Sequence, residues 1–164
     1  KAIRRQRQMC IRDSIQIERP SPNAKIRRSD YIERIETFKQ ANEIFEALLM
    51  NAEGYLTEGS KSNLFFVRRG EPDAVYTAPR EMVLEGIMRQ YVLDLCGQEN
   101  ISVKFEPIRY SALGDVEALF ITGTSINVLP IAKVDEIQYN SPENSTVLRI
   151  MHAFQNYIDT ITKG

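Results

Sequence analysis

Three glycine-containing junctions carry the residues of this chain that could do chemistry. The first, Glu58-Gly59-Ser60-Lys61-Ser62-Asn63, is a polar hexapeptide between two apolar runs, Ala-Leu-Leu-Met at 47–50 and Leu-Phe-Phe-Val at 64–67. Both runs are short, bounded by turn residues and rich in large apolar side chains, which predicts two buried strands. A carboxylate delivered between buried strands is costly unless something pairs with it, so Glu58 needs a partner. The plainer alternative is a surface loop over 51–59 carrying a solvated glutamate. The second junction, Leu84-Glu85-Gly86-Ile87-Met88-Arg89, opens a helix whose first amides, those of Ile87 and Met88, can hold an anion. The third, Thr122-Gly123-Thr124-Ser125, follows a buried strand and offers hydroxyls and N–H groups of the same kind. Taken singly, the last two are ordinary caps and turns more often than sites.

Composition narrows the chemistry. At 164 residues the chain suits one domain with a sizeable core. Apolar content of 43% and charged content of 26% are those of a globular protein, which sets aside a disordered or fibrous reading. A net charge of −1 argues against nucleic acid as a partner. No apolar run is long enough to cross a membrane, and no signal peptide is visible. Cys10 and Cys96 show no paired spacing, which fits a reducing, cytoplasmic setting and excludes a cysteine-built metal site. His152 is the single histidine, so a histidine metal cluster is excluded and the residue belongs on a solvated helix face.

The elements that must position the junctions follow from periodicity. Residues 1–13 are basic without an apolar period, while the remainder is acidic, so a nucleic-acid-binding arm ranks last. Met9-Cys10-Ile11-Arg12-Asp13-Ser14 is what a transposon-end adapter sequence would encode, so 1–13 read as a non-native leader and the native chain as 14–164. Alternation predicts a strand over 14–19, broken at Pro20 and Pro22. A helix capped by Ser29 or Asp30 follows, burying Ile32, Ile35, Phe38, Ala41 and Phe45. After the strands around Glu58 come a turn at 69–73 and a short strand at 74–77. A helix from Ile87 to about Cys96, stopped by Gly97, buries Ile87, Met88, Tyr91, Val92 and Leu95, and leaves Cys96 a structural thiol. Strands are expected at 101–105, 116–121 and 127–135, the last bent or at a sheet edge because of Pro130. A final helix from about Pro142 to Thr162 buries Val147, Met151, Phe154, Ile158 and Ile161.

Taken together, the order and spacing of the junctions resemble the class IV aminotransferases, the fold-type IV pyridoxal 5'-phosphate (PLP) enzymes that include branched-chain and D-amino-acid aminotransferases and aminodeoxychorismate lyase. The matching text is Glu-Ala-Leu-Leu-Met-Asn at 46–51, Gly-Tyr-Leu-Thr-Glu-Gly-Ser-Lys-Ser-Asn-Leu-Phe-Phe-Val at 54–67, Leu-Glu-Gly-Ile-Met-Arg-Gln at 84–90 and Leu-Phe-Ile-Thr-Gly-Thr-Ser at 119–125. The resemblance implies a mixed α/β (α+β) fold, a β-sheet pseudo-barrel flanked by helices. It also implies transamination between an amino acid and a 2-oxo acid, and a homodimer in the full-length form. Family members carry a smaller N-terminal domain to which nothing here corresponds, so 14–164 are expected to be the C-terminal cofactor-binding domain.

The resemblance also assigns roles. Glu58 looks like the carboxylate facing the pyridine nitrogen, which would supply its missing partner. Gly86, the amides of Ile87 and Met88, Thr124 and Ser125 look like the phosphate cradle. Tyr31 is placed like the residue that hydrogen-bonds the ring hydroxyl. Lys25 looks like the Schiff-base lysine, whose amine would shuttle the proton at the α-carbon; read from its neighbours alone, it could equally be a solvated lysine after a proline turn. If Arg27 aligns with the lysine instead, the chain is catalytically dead. The family's usual Leu-Pro-Gly-Ile-Thr-Arg reads Leu84-Glu85-Gly86-Ile87-Met88-Arg89 here, which keeps the backbone amides and loses a threonine hydroxyl at 88. Two alternatives stay open: a lyase on the same scaffold, and a non-catalytic domain binding an anion or a partner.

Overall fold

A computed structural model of the protein describes residues 9–11, 14–16 and 29–163, with side chains from Tyr31 onward. Among the described residues, eleven strands form one curled, mostly antiparallel sheet flanked by helices, the mixed α+β class expected. The strands are β1 Met9–Ile11, β2 Ser14–Gln16, β3 Leu48–Met50, β4 Tyr55–Gly59, β5 Asn63–Arg68, β6 Ala74–Thr77, β7 Ser102–Phe105, β8 Ile108–Arg109, β9 Val116–Gly123, β10 Asn127–Val134 and β11 Ile137–Gln138. The order along the sheet is β1-β10-β9-β5-β4-β3-β2, with β11 on β10, β8 on β4, and β6 bridging β5 and β7. The helices are α1 Ser29–Asn42, α2 Ile87–Gln98 and α3 Ser145–Thr162. Residues 9–11, which the sequence assigns to a leader, pair in parallel with β10 from Ile131 to Val134. That register begins one residue beyond Pro130, which lies opposite Phe120 of β9.

The central strands bury both faces, which is why their sequences read as unbroken apolar runs. Leu64 and Phe66 of β5 point to the concave face with Leu48, Leu56, Tyr76, Leu119, Ile121, Leu129 and Ile131. Phe65 and Val67 point the other way, under α2 and α3, with Phe120, Val128, Met88, Val92, Leu95, Val147, Ile150 and Phe154. Each face has an aromatic pair at a cross-strand position. Phe65 and Phe120 stack with centroids 5.0 Å apart, and Phe66 and Tyr76 with centroids 5.2 Å apart. Cys96 is fully buried beneath α2, and burial pushes its thiol up to about 12, against the lowering pull of Arg149.

The helices depart from the predicted apolar stripes in ways the structure explains. On α1 the sheet-facing pair is Tyr31 and Ile35, packed on Leu49, while Ile32 and Ala41 are exposed. The chain leaves the helix at Glu43, where φ is +54°, so Phe45 no longer follows the helical period and is 46% exposed. On α2 the buried face is Met88, Arg89, Val92, Leu95 and Cys96; Ile87 and Tyr91 are exposed. Gly97 does not stop this helix. Asn100, at φ +55°, takes the left-handed position, with Ile101 N–H donating to Cys96 C=O at 2.8 Å and Asn100 N–H to Gly97 C=O at 3.4 Å. Pro142 lies in a separate 3-10 turn, Ser141–Glu143; α3 starts after Asn144, whose Oδ1 accepts from the N–H groups of Thr146 and Val147 at 3.1 Å. Its last turn runs past the sheet, leaving Ile161 exposed, and His152 is exposed as expected.

These features set measurable costs. Asn144→Ala removes the α3 cap and should lower stability by about 1 kcal/mol, read as a drop of a few degrees in Tm. Phe120→Ala should cost about 3–5 kcal/mol, read as a Tm drop several times larger. In a Cys10→Ser background, the Cys96 thiol should resist an aromatic disulfide reagent at mildly alkaline pH until the chain is unfolded; fast reaction of the folded protein would contradict its burial.

Candidate functional site

The surface-loop alternative for Glu58 does not hold: residues 55–59 form β4, and Glu58 is 2% exposed. Registers carry the site from there. Glu58 lies opposite Leu49 on β3 and Asn63 on β5, and Asn63 lies opposite Thr122 on β9. Directly opposed residues share a face, so Glu58, Asn63 and Thr122 form one polar row across three strands. That face is the one α2 and α3 cover, because Phe65, two residues after Asn63, and Phe120, two before Thr122, lie beneath the helices. Tyr31 and Ile35 of α1 pack on Leu49 at the near end of the row. The polar row is therefore where the helix-covered face runs out.

The loop before α2 is pinned to this row at both polar groups of one residue. Leu84 N–H donates to Glu58 Oε2 at 3.2 Å, and Asn63 Nδ2 donates to Leu84 C=O at 2.8 Å. Gly86 follows as the N-cap of α2; a Cβ there would sit 2.7 Å from Asn63 Oδ1, so only glycine lets the loop lie this close. No side chain caps the helix, and the first-turn amides remain available to an anion. Ile87 is 68% exposed, so its apolar side chain is not part of the core beneath the helix. Met88 is buried in the core, so position 88 contributes an amide and no hydroxyl. Thr124 and Ser125 are exposed in the turn between β9 and β10.

Three residues are buried polar groups to which the sequence patterns give no role of their own. Thr122, not Thr124, lies in the row, and its buried Oγ1 has no hydrogen-bond partner among the described residues. Arg89 is buried under α2, where its Nη2 donates to Ala78 C=O at 3.0 Å and its Nη1 lies 3.7 Å from Glu85. Burial pushes the Arg89 guanidinium below the ordinary arginine range, while the carboxylates of Glu85 and Glu58 pull it up. Glu46 is buried against the turn at 60–62, with its Oε2 2.9 Å from the Ser62 hydroxyl. The available signal was the same that marked Glu58: a polar residue inside or beside an apolar run. Lys25 lies outside the described residues, as does Arg27. Among the described residues no cluster of histidine, cysteine and carboxylate side chains could hold a metal, and no helix is long and apolar enough to cross a membrane.

If the Glu58 and Asn63 contacts hold the loop, Asn63→Ala should cost about 1–3 kcal/mol, since it leaves the Leu84 carbonyl without its partner. Hydrogen exchange should then quicken across 83–88 before it does in α3.

Comparison with known proteins meets this geometry. The model of the family described as amino-transferase class IV matches residues 1–134. A protein of Aquifex aeolicus described as a probable branched-chain-amino-acid aminotransferase is 34% identical over 110 residues, covering 66% of this chain and 35% of that protein. A D-alanine aminotransferase of Bacillus licheniformis is 32% identical over 92 residues, covering 56% of this chain and 31% of that one. Among solved structures, an aminotransferase from Brucella abortus bound to the co-factor PLP has a TM-score of 0.77 at 25% identity, covering 92% of this chain and 54% of that one. The chain thus spans about a third of the length of the curated relatives it matches. Matched by the family model over residues 1–134 of its 164, the chain belongs to the class IV aminotransferases.

Proposed function

We propose that this chain is the cofactor-binding part of a PLP-dependent transaminase, moving an amino group between an amino acid and a 2-oxo acid. The observation that carries the reading is the buried Glu58 carboxylate, in a row with Asn63 and Thr122 and hydrogen-bonded to the loop that opens α2. The residues fit the cofactor on three further counts: the buried Thr122 hydroxyl with no described partner, the glycine-lined approach at 86, and the uncapped amides of α2. When bound, PLP supplies a ring that accepts electron density from the substrate's α-carbon and carries the amino group.

The chain's own residues then divide the work. With PLP bound, the buried Glu58 carboxylate would favour the protonated ring nitrogen. The amides of Ile87 and Met88 and the hydroxyl of Thr124 would hold the phosphate, with Ser125 in the same turn. Tyr31, anchored on Leu49, orients the ring through its hydroxyl oxygen. Lys25 supplies the amine that takes and returns the proton at the α-carbon. The setting is cytoplasmic, and the full-length protein is a homodimer.

Two experiments test this. Borohydride reduction in the presence of PLP, followed by peptide mapping, should label Lys25; a folded chain that takes no label overturns the reading. Thr124→Ala removes one hydroxyl donor to a dianion, a loss of about 1.5–3 kcal/mol, so the Kd for PLP should rise by roughly 10- to 100-fold while Tm stays within a degree or two. An unchanged Kd would remove Thr124 from the cradle.

A further inference from the structure

Glu46 is a buried carboxylate that the cofactor reading leaves without a role. It is 3% exposed and lies just ahead of β3. Its Oε1 accepts from Ala47 N–H at 2.9 Å, from Ser60 N–H at 3.1 Å and from the Ser60 hydroxyl. Its Oε2 accepts from Lys61 N–H at 3.3 Å and from the Ser62 hydroxyl at 2.9 Å. All but one of these donors belong to the single turn at 60–62. A buried anion is stable only with such a set of charge-assisted bonds, and it is as far from solvent as Glu58 itself.

The turn that Glu46 holds has neighbours on three sides. It joins Glu58 at the end of β4 to Asn63 at the start of β5, and Gly59 has no room for a side chain because a Cβ would run into Ser62 Oγ. The Lys61 ammonium pairs with Glu36 of α1 at 2.9 Å, five residues beyond Tyr31. The Lys61 carbonyl lies beside Gly123, the last residue of β9, where a Cβ would stand 3.2 Å from it. One small turn therefore adjoins the strand bearing Glu58, the helix bearing Tyr31 and the end of β9 that leads into Thr124.

We propose that Glu46 is a positioning residue: by accepting the donors of the 60–62 turn, it sets the spacing between Glu58 and the 122–125 turn, the two ends of the cofactor floor. Its ligand rests on the function proposed above, but its geometry does not. Removing the carboxylate takes the acceptor away from the Lys61 amide and the Ser62 hydroxyl, and the turn must move to wet them. That movement reaches 122–125 through the Lys61 carbonyl.

Hydrogen exchange on the chain without cofactor, followed by titration with PLP, tests the proposal. Glu46→Ala should quicken exchange at 60–62 and at 122–125 by roughly tenfold, leave α3 protected, and raise the Kd for PLP by about the same factor. Glu46→Gln, which keeps one carbonyl acceptor, should recover most of both. Ser62→Ala removes one donor without touching the charge, and keeps the test open should Glu46→Ala not fold; it should quicken 122–125 by roughly threefold. Acceleration confined to 60–62, or spread evenly through the chain, overturns the proposal. A parent chain that binds no PLP overturns the cofactor reading instead, and exchange at 122–125 still decides the role of Glu46.

Discussion

The structure depends on keeping the Glu58 carboxylate buried at the end of a strand. An ionised group in that position needs donors, and one of them is the backbone N–H of Leu84. Meeting that need draws the loop before α2 across the sheet, where Asn63 holds the carbonyl of the same residue. Two hydrogen bonds to one residue fix the entry of α2, and Gly86 gives the backbone the room to lie there. The open amides of a helix and a buried carboxylate are thus brought together by one local requirement.

The two-faced sheet explains why the site sits where it does. One face of the sheet is packed with aliphatic and aromatic side chains, among them Leu64, Phe66, Leu119 and Ile121. The other is covered by α2 and α3 over Phe65 and Phe120. The polar row begins two residues from each of those rings. Packing energy and chemistry are therefore separated along the same strands, with the stacked phenylalanines stabilising the platform and the row beyond them available to a ligand. Arg89 stands between the two regions, buried like a core residue yet within electrostatic reach of Glu58.

Much of this was legible in the sequence, and the misses have definite causes. The strands around Glu58, the β9–β10 hairpin and the start of α2 follow from apolar runs and turn residues that act locally. The helix faces were less legible because periodicity does not know where a sheet ends: Ile87 and Ile161 keep the helical spacing but lie beyond the surface that would bury them. Phe45 was counted on α1 because Glu43, an unremarkable residue in the sequence, is the one that breaks it. Gly97 looked like the stop of α2, yet Asn100 takes that conformation. In the site, Glu58, Gly86 and the Thr-Gly-Thr turn stood out through their spacing. The alignment of Asn63 and Thr122 in one row with Glu58, and the hold of Glu46 on the 60–62 turn, did not, since they come from cross-strand registers and from a turn that only folding brings together.

The central claim is that the buried Glu58 carboxylate keeps the ring nitrogen of PLP protonated. Nitrogen-15 NMR of ring-labelled PLP bound to the chain tests it most directly. The account predicts a pyridinium resonance that stays protonated into mildly alkaline buffer and is lost in Glu58→Gln. A ring nitrogen that titrates as in free solution, or identically in both proteins, would contradict it.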